Sequence, residues 1–568
     1  MKRLFWSLAV ATTACGARPE MAPMVPPAPI APAPSPVPDL GPRPDLAPAP
    51  AFQPPVPQVL NIAGLPTVWL LERHGLPLVA VRVVVSAGAA DDPAGKGGLA
   101  ALTAEMMEQG AGRYGALEIS RLFDQLGAKA SVEAGQDASE ADVTVLKGNL
   151  KRALELLGDV VSRPRFETAE WDRAKALWLD QLKARPFEPN DLASVVSRAV
   201  YFGESHPYGH PLDGNLSTVG TLTLADAKAF HKAHWRPDRA TLVIVGDVSV
   251  DDLKTLFVPA FANWVNTREA PALLVGTPPG GRPTDSGTPP GWRPTDSGTP
   301  PGGRPTDSDT PPGGRPTDSD TPPGGRPTDP REAPLARTSF TPTPPKGPWP
   351  RTVLVDRPGA AQTVFAFVAP GPTEADPAVP ALRLANIPLG GSFTSRLNTN
   401  LREDKGYTYG VHSGLATARI AGRWGIRTSV ESGVTSPALK ELLKEVSGMA
   451  KDGPTSAELG KARASEKGDR VSSYESIEDM AHGLSALASM SLPADWDAQL
   501  ARRTDTLPDT DVVAAAKGMS LQQATIVAVG DGTVIRAAFE AAGLPAPEVR
   551  DVDGRPATAG APSPGVKK

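Results

Sequence analysis

One strand sequence occurs twice in this chain, 284 residues apart, and that repetition limits the possible fold more than any other feature. The segments Ala240-Thr241-Leu242-Val243-Ile244-Val245-Gly246-Asp247 and Ala524-Thr525-Ile526-Val527-Ala528-Val529-Gly530-Asp531 differ only at Leu242/Ile526 and Ile244/Ala528. The regions upstream of them also correspond. One opens with 67–71, a turn at His74-Gly75 and a valine-rich run over 78–86; the other opens with 352–355, a turn at Pro358-Gly359 and a run over 363–368. By composition and turn chemistry each opening reads as a hairpin. Between opening and closing strand the spacing is helical, as in Leu150, Ala153, Leu154, Leu157 and in Leu439, Leu442, Leu443, Val446. Strands, then several helices, then a closing strand describe an α+β domain, and the chain is a tandem duplication of it.

Proline and glycine mark out the two copies. Most of the 64 prolines of the 568 residues lie outside two blocks, 56–266 and 349–548, each long enough to bury a core, and the stretch between the blocks is rich in glycine as well. Between the blocks, 267–348 holds an 11-residue unit, TPPGGRPTDSG, that starts at Thr277, Thr288, Thr299, Thr310 and Thr321, with Trp292 replacing a glycine once. Without aliphatic residues it has nothing to bury and reads as a linker. At the start, Lys2, Arg3 and a short apolar stretch over 4–11 resemble an export signal. Thr12-Thr13-Ala14-Cys15 resembles a lipobox, which makes Cys15, the sole cysteine, the expected lipidation site at the end of a signal over 1–15. An ordinary secretory signal is the alternative. Residues 16–55, rich in Pro and Ala, suit an extended tether that could reach roughly 120 Å at about 3.1 Å per residue. Residues 549–568 read as a disordered tail. The net charge of −5 argues against nucleic acid as a partner. Seven histidines and one cysteine exclude a disulfide scaffold and a cysteine-rich zinc module. No apolar run is long enough to span a membrane.

The most informative segment lies in the second block: Gly390-Gly391-Ser392-Phe393-Thr394-Ser395-Arg396-Leu397, then Leu401-Arg402-Glu403-Asp404-Lys405-Gly406-Tyr407-Thr408-Tyr409. A helix is expected from about Ser392 to Gly406, followed by a strand from Tyr407. With the duplicated halves, this segment resembles the insulinase/pitrilysin metallopeptidases, inverted zincins of the HxxEH type. The resemblance covers both blocks. It implies two homologous α+β domains, each an antiparallel sheet packed with helices, as in the mitochondrial processing peptidases. It also implies that Arg402 and Tyr409 are the family's substrate-contacting pair, whose guanidinium and phenol can donate to a peptide carbonyl or its developing oxyanion. An ion-paired surface arginine and a half-buried sheet tyrosine would be the purely structural reading of the same residues.

The resemblance places the zinc motif, G-x-A-H-x-x-E-H-M, on Gly98–Met106. Here Ala101 stands at the first histidine, Ala104 at the general base and Glu105 at the second histidine; Gln181 aligns with the later glutamate ligand. Zinc catalysis needs three protein ligands, an open position for water and a base, and alanine supplies none of these. Glu105 and Glu108 share a helix face and could weakly hold a hard cation, but they read first as solvated helix residues. His231 and His234, three apart, and His206 and His210, in a Pro/Gly loop, lack an acidic partner at zincin spacing and read as structural.

The resulting expectation is a non-catalytic subunit, inactive alone, that binds and orients peptides for a partner bearing HxxEH. Zinc belongs to that partner and this chain holds none. The chain would be exported and lipid-anchored on the periplasmic face of a bacterial envelope membrane. A structural or binding lipoprotein without a proteolytic role, and a divergent metalloendopeptidase, are the alternatives. The linker leaves open whether the halves pair within one chain or between chains.

Overall fold

The computed structural model describes residues 52–265 and 350–557. The expected signal with Cys15, nearly all of the tether, the repeats and the last residues of the tail lie outside the described residues. The first half contributes β1 (Gln58–Asn61), β2 (Thr67–Glu72), β3 (Leu78–Val85), a small ribbon of β4 (Gly110–Ala111) and β5 (Tyr114–Gly115), β6 (Lys129–Ala134), β7 (Ser139–Leu146) and β8 (Ala240–Gly246). The second contributes β9 (Arg351–Asp356), β10 (Gln362–Gly371), β11 (Val411–Ala416), β12 (Gly422–Glu431), β13 (Thr525–Gly530) and β14 (Glu548–Val549).

Each half builds a six-stranded sheet, ordered β1-β2-β8-β3-β7-β6 and β11-β12-β10-β13-β9-β14. The closing strand therefore lies between the two opening strands, and neither expected hairpin forms. Residues 73–77 carry the chain past an intervening strand, a span of roughly 10 Å. The sheets are also mixed rather than antiparallel: β2 runs parallel to β8, and β9 parallel to β13 and β14. The closing strands take the centre because they are the most uniformly apolar; β13 is buried at every residue and β8 at all but one. A strand covered on both faces needs such a run. By contrast β7 alternates buried and half-buried residues, the signature of one wetter face.

Helices cover one face of each sheet from within the same half. Leu99–Glu108 and Leu150–Ser162 close the first core with Leu102, Met106, Leu154 and Leu157. Val379–Asn386, Thr435–Asp452 and Gly532–Ala541 close the second with Leu384, Leu439, Leu442 and Phe539. The opposite faces are covered by exchange. Helix Pro189–Phe202 of the first half lays Leu192, Ala193, Val196 and Val200 on Val353, Val364, Ala366 and Val527 of the second sheet. Helix Ile477–Ser489 of the second half lays Met480, Ala481 and Leu484 on Ala80, Val84 and Val243 of the first. Both stand ahead of the closing strand in their own half, so the duplicated units are interlocked within one chain. The ordered body also extends beyond 548: β14 pairs with β9, and Arg550 bridges to Pro556.

Candidate functional site

The helix aligned with the zinc motif begins at Leu99 and ends at Glu108. Its start is fixed by Asp92, which accepts from the backbone N–H groups of Gly98 and Ala100 at 2.8 Å each. Desolvation raises the Asp92 carboxyl to about 7, although the backbone donors favour its charged form. On this helix Ala104 is buried and Ala101 half-buried. Glu105 accepts a hydrogen bond from Gln109 Nε2 at 2.9 Å. Gln181 lies near the end of helix Thr168–Ala184 and is exposed. Among the described residues no group of three His, Cys, Asp or Glu side chains is arranged to hold a metal ion. Two alanines, a glutamate already hydrogen-bonded to its neighbour and a solvent-facing glutamine do not fit a zinc centre.

Glu108 has a different place from the one its spacing suggested. Its Oε1 accepts from the backbone N–H of Val132 on edge strand β6 at 2.7 Å, tying the helix to the sheet rim. Burial, with Glu105, Glu133 and Asp142 adding repulsion, raises its carboxyl to about 7. The four histidines are packed in the structure. His231 meets the Val161 carbonyl at 2.9 Å and the Phe166 ring edge, and burial lowers it to about 4. His234 contacts Arg239 at 2.7 Å, His206 stacks on Phe202, and His210 meets the Pro211 carbonyl at 3.1 Å. Burial lowers all three.

In the second half the helix begins four residues later than expected, at Arg396, with Ser395 as its cap. It continues as a widened π-helical turn over Thr399–Asp404 and stops at Gly406, whose φ of +64° suits glycine. The strand resumes only at Val411, so Tyr409 sits in a loop rather than on a strand. Asn398 causes the delay. Its Oδ1 accepts from Val411 N at 2.8 Å and its Nδ2 donates to the carbonyl oxygens of Val411 and Ser392, holding 407–410 as a bulge beside the helix.

The rest of the segment is braced as well. Arg396 pairs with Glu458 at 2.6 Å, and Asn400 donates to Glu441 and Glu445 at 2.8 and 2.6 Å. A Cβ on Gly390 would meet Ser413 Oγ at 2.6 Å, so the first motif glycine permits close approach to β11. Sequence reasoning missed Asn398, Asn400 and Glu458; the Asn-x-Asn spacing inside the motif helix was the available signal.

Within this frame Tyr409 is 96% exposed. Its backbone is held between Thr408, whose hydroxyl meets Thr428 Oγ1 at 2.9 Å, and Gly410. Arg402 stacks over the Phe393 ring, 4.0 Å from its centroid, with Glu403 3.5 Å away. No hydrogen bond joins Arg402 to Tyr409 among the described residues. The arrangement presents a free phenol on an anchored loop and a guanidinium held flat on an aromatic face, both available as donors.

Comparison with known proteins gives two family matches: "Insulinase (Peptidase family M16)" over residues 67–204, and "Peptidase M16 inactive domain" over 221–307 and 324–466. An uncharacterized zinc protease of Mycobacterium tuberculosis is 23% identical over 397 residues, 70% of this chain and 75% of that protein. A crystal structure of a peptidase M16 inactive domain from Pseudomonas fluorescens has a similar fold, with a TM-score of 0.66 and 24% identity, covering 84% of this chain and 98% of that one. A protease from Helicobacter pylori also reaches 0.66, at 18% identity, over 84% and 100% of the two chains.

Proposed function

Because this chain belongs to the insulinase family, peptidase family M16, yet carries Ala101, Ala104, Glu105 and Gln181 at the metal positions, we propose that it is a non-catalytic, peptide-binding subunit. It binds and orients peptide for a partner chain bearing HxxEH, and the zinc belongs to that partner. The observation that carries this reading is the contrast within one chain. The zinc-motif helix keeps its cap and its packing but has lost every ligand, whereas the Arg402/Tyr409 segment is braced by Asn398, Asn400 and Arg396 around an exposed phenol. A scaffold would not need a tyrosine held free on an anchored loop. The chain is proposed to be exported and lipidated at Cys15, with its folded body held off the membrane by the Pro/Ala tether.

Donors at a developing oxyanion each contribute on the order of 3 kcal/mol to a transition state. Reconstitution with the zinc-bearing partner tests the reading. Arg402→Ala or Tyr409→Phe should lower turnover by about tenfold or more while the two chains still co-elute. Wild-type turnover in both variants would refute it. The ion pair of Arg402 with Glu403 is what the alternative expects, a scaffold without a proteolytic role, and that same result would support it.

A further inference from the structure

Three arginines that form no ion pair among the described residues gather where the exchanged helix Pro189–Phe202 crosses the second sheet, with Asp213, itself paired to Arg185, the one carboxylate that acts on Arg198 from a distance. Arg427 and Arg423 on β12 stand opposite Ala366 and Pro370 of β10, and Ala366 belongs to the core beneath that helix. Directly opposed strand residues share a face, so both arginines are on the side turned to the first half. The helix is fixed along this face at two points. Asn190 Oδ1 accepts from Ser429 Oγ at 3.2 Å, and Tyr201 packs with Val368 and Ala421. Arg198 lies between those points, and its guanidinium donates to Gln136.

None of the three arginines forms an ion pair among the described residues. The carboxylates of the adjoining loops are engaged elsewhere: Asp213 with Arg185, and Asp137 with the Tyr208 hydroxyl at 2.6 Å and Arg419 at 3.5 Å. Burial, reinforced by Arg423 and Arg427 and only partly offset by Asp213, pulls Arg198 down to about 10, and burial lowers Arg423 too. Arg198 and Arg423 are half-buried and Arg427 is exposed at the rim; half-buried guanidinium groups are ordinarily paired, because an uncompensated charge away from water is costly. A planar fork of N–H donors suits a carboxylate, which it can grip with two parallel bonds.

We propose that Arg198, Arg423 and Arg427 form an anion site that receives a carboxylate of the bound peptide, so that this chain selects peptides bearing an acidic side chain or a free C-terminus. The inference rests on the peptide-binding reading above and names the substrate class for it. The site is shared by the two halves: Arg198 comes from the first, and Arg423 and Arg427 from the second. Peptide charge would therefore hold the exchanged helix against the sheet it covers.

Fluorescence anisotropy of the full mature chain, without a partner, tests this. The probes are a labelled, unstructured peptide rich in glutamate, its glutamine counterpart and its C-terminally amidated counterpart. The glutamate peptide should bind about tenfold more tightly than one or both neutralised forms. Which substitution costs affinity identifies the side-chain or the terminal carboxylate. Arg423→Gln and Arg427→Gln should remove that preference and leave the weaker binding of the glutamine peptide unchanged; Arg427→Lys should retain part of it. Arg427 is exposed, so its variants test the site without disturbing the core. Equal affinity for all three peptides, or an equal loss for all in the variants, would overturn the site while leaving peptide binding intact. Thermal stabilisation by inorganic phosphate without peptide discrimination would also overturn it. Failure of every peptide to bind would overturn the peptide-binding reading itself.

Discussion

Substituting Glu108 with glutamine should make the protein more stable at alkaline pH and leave it nearly unchanged in acid. The Glu108 carboxyl is raised from 4.5 to about 7, mainly by desolvation and further by Glu105, Glu133 and Asp142. A raised carboxyl binds its proton more tightly in the folded than in the unfolded chain. Between 4.5 and 7 the native state thus holds more protons, and stability falls as pH rises through that window. At 1.36 kcal/mol per unit, the shift corresponds to an upper figure of about 3 kcal/mol above pH 7. Glutamine keeps the oxygen that accepts from Val132 N–H at 2.7 Å and never ionises. Its added NH₂ needs a partner, which reduces the gain to about 1–2 kcal/mol. Urea denaturation at pH 8 and pH 4 measures this directly. The variant should lead at pH 8, with the difference closing at pH 4. Asp92, raised to about 7 by burial, leaves some of the pH slope in both proteins. A variant less stable at pH 8, or a gap of the same size at both pH values, would refute the reasoning.

Other outcomes follow from the same structure. Leu484→Ala, at a 2% exposed position on the exchanged helix, should cost about 2–5 kcal/mol and lower the first sheet's protection from hydrogen exchange although the residue belongs to the second half. His231, lowered to about 4 by burial, contributes stability that is full above 6.5 and lost as pH falls toward 4; His231→Phe should flatten acid unfolding in that window. Chelator treatment of the chain alone should shift its melting temperature by less than about 1 °C, because no zinc is linked to its folding. Phe393→Ala removes the surface that holds Arg402 and should reduce turnover with the zinc-bearing partner by about two- to fivefold, less than Arg402→Ala does.

Family membership and the overall class were legible because they rest on local pattern: twin closing strands, helical spacing between them and the segment from Gly390 to Tyr409. Strand order was not. Nothing within 67–86 reveals that Ala240–Gly246 will occupy the space between two strands that look like a hairpin; pairing at such separation is decided by tertiary burial. The exchange of helices was hidden for a similar reason. The apolar face of Ile477–Ser489 shows that it packs against something, but not that its partner is Val84 and Val243 rather than its own half. At the candidate site, Arg402 and Tyr409 are singled out by the resemblance alone, and the bulge that exposes Tyr409 depends on side-chain bonds from Asn398 to a backbone 13 residues away. Glu108 was read as a solvated helix residue because its spacing to Glu105 is visible, while its burial and its bond to Val132 are not.

The central claim is that this chain handles peptide for a separate zinc-bearing chain. Affinity purification of the protein from its native cells, with mass spectrometry and metal analysis of what accompanies it, tests the claim most directly. The account predicts a stoichiometric companion with an intact HxxEH and one zinc per pair, held by that companion. Recovery of this chain alone, or with envelope proteins that lack the motif, would contradict it and leave Arg402 and Tyr409 as inherited structure.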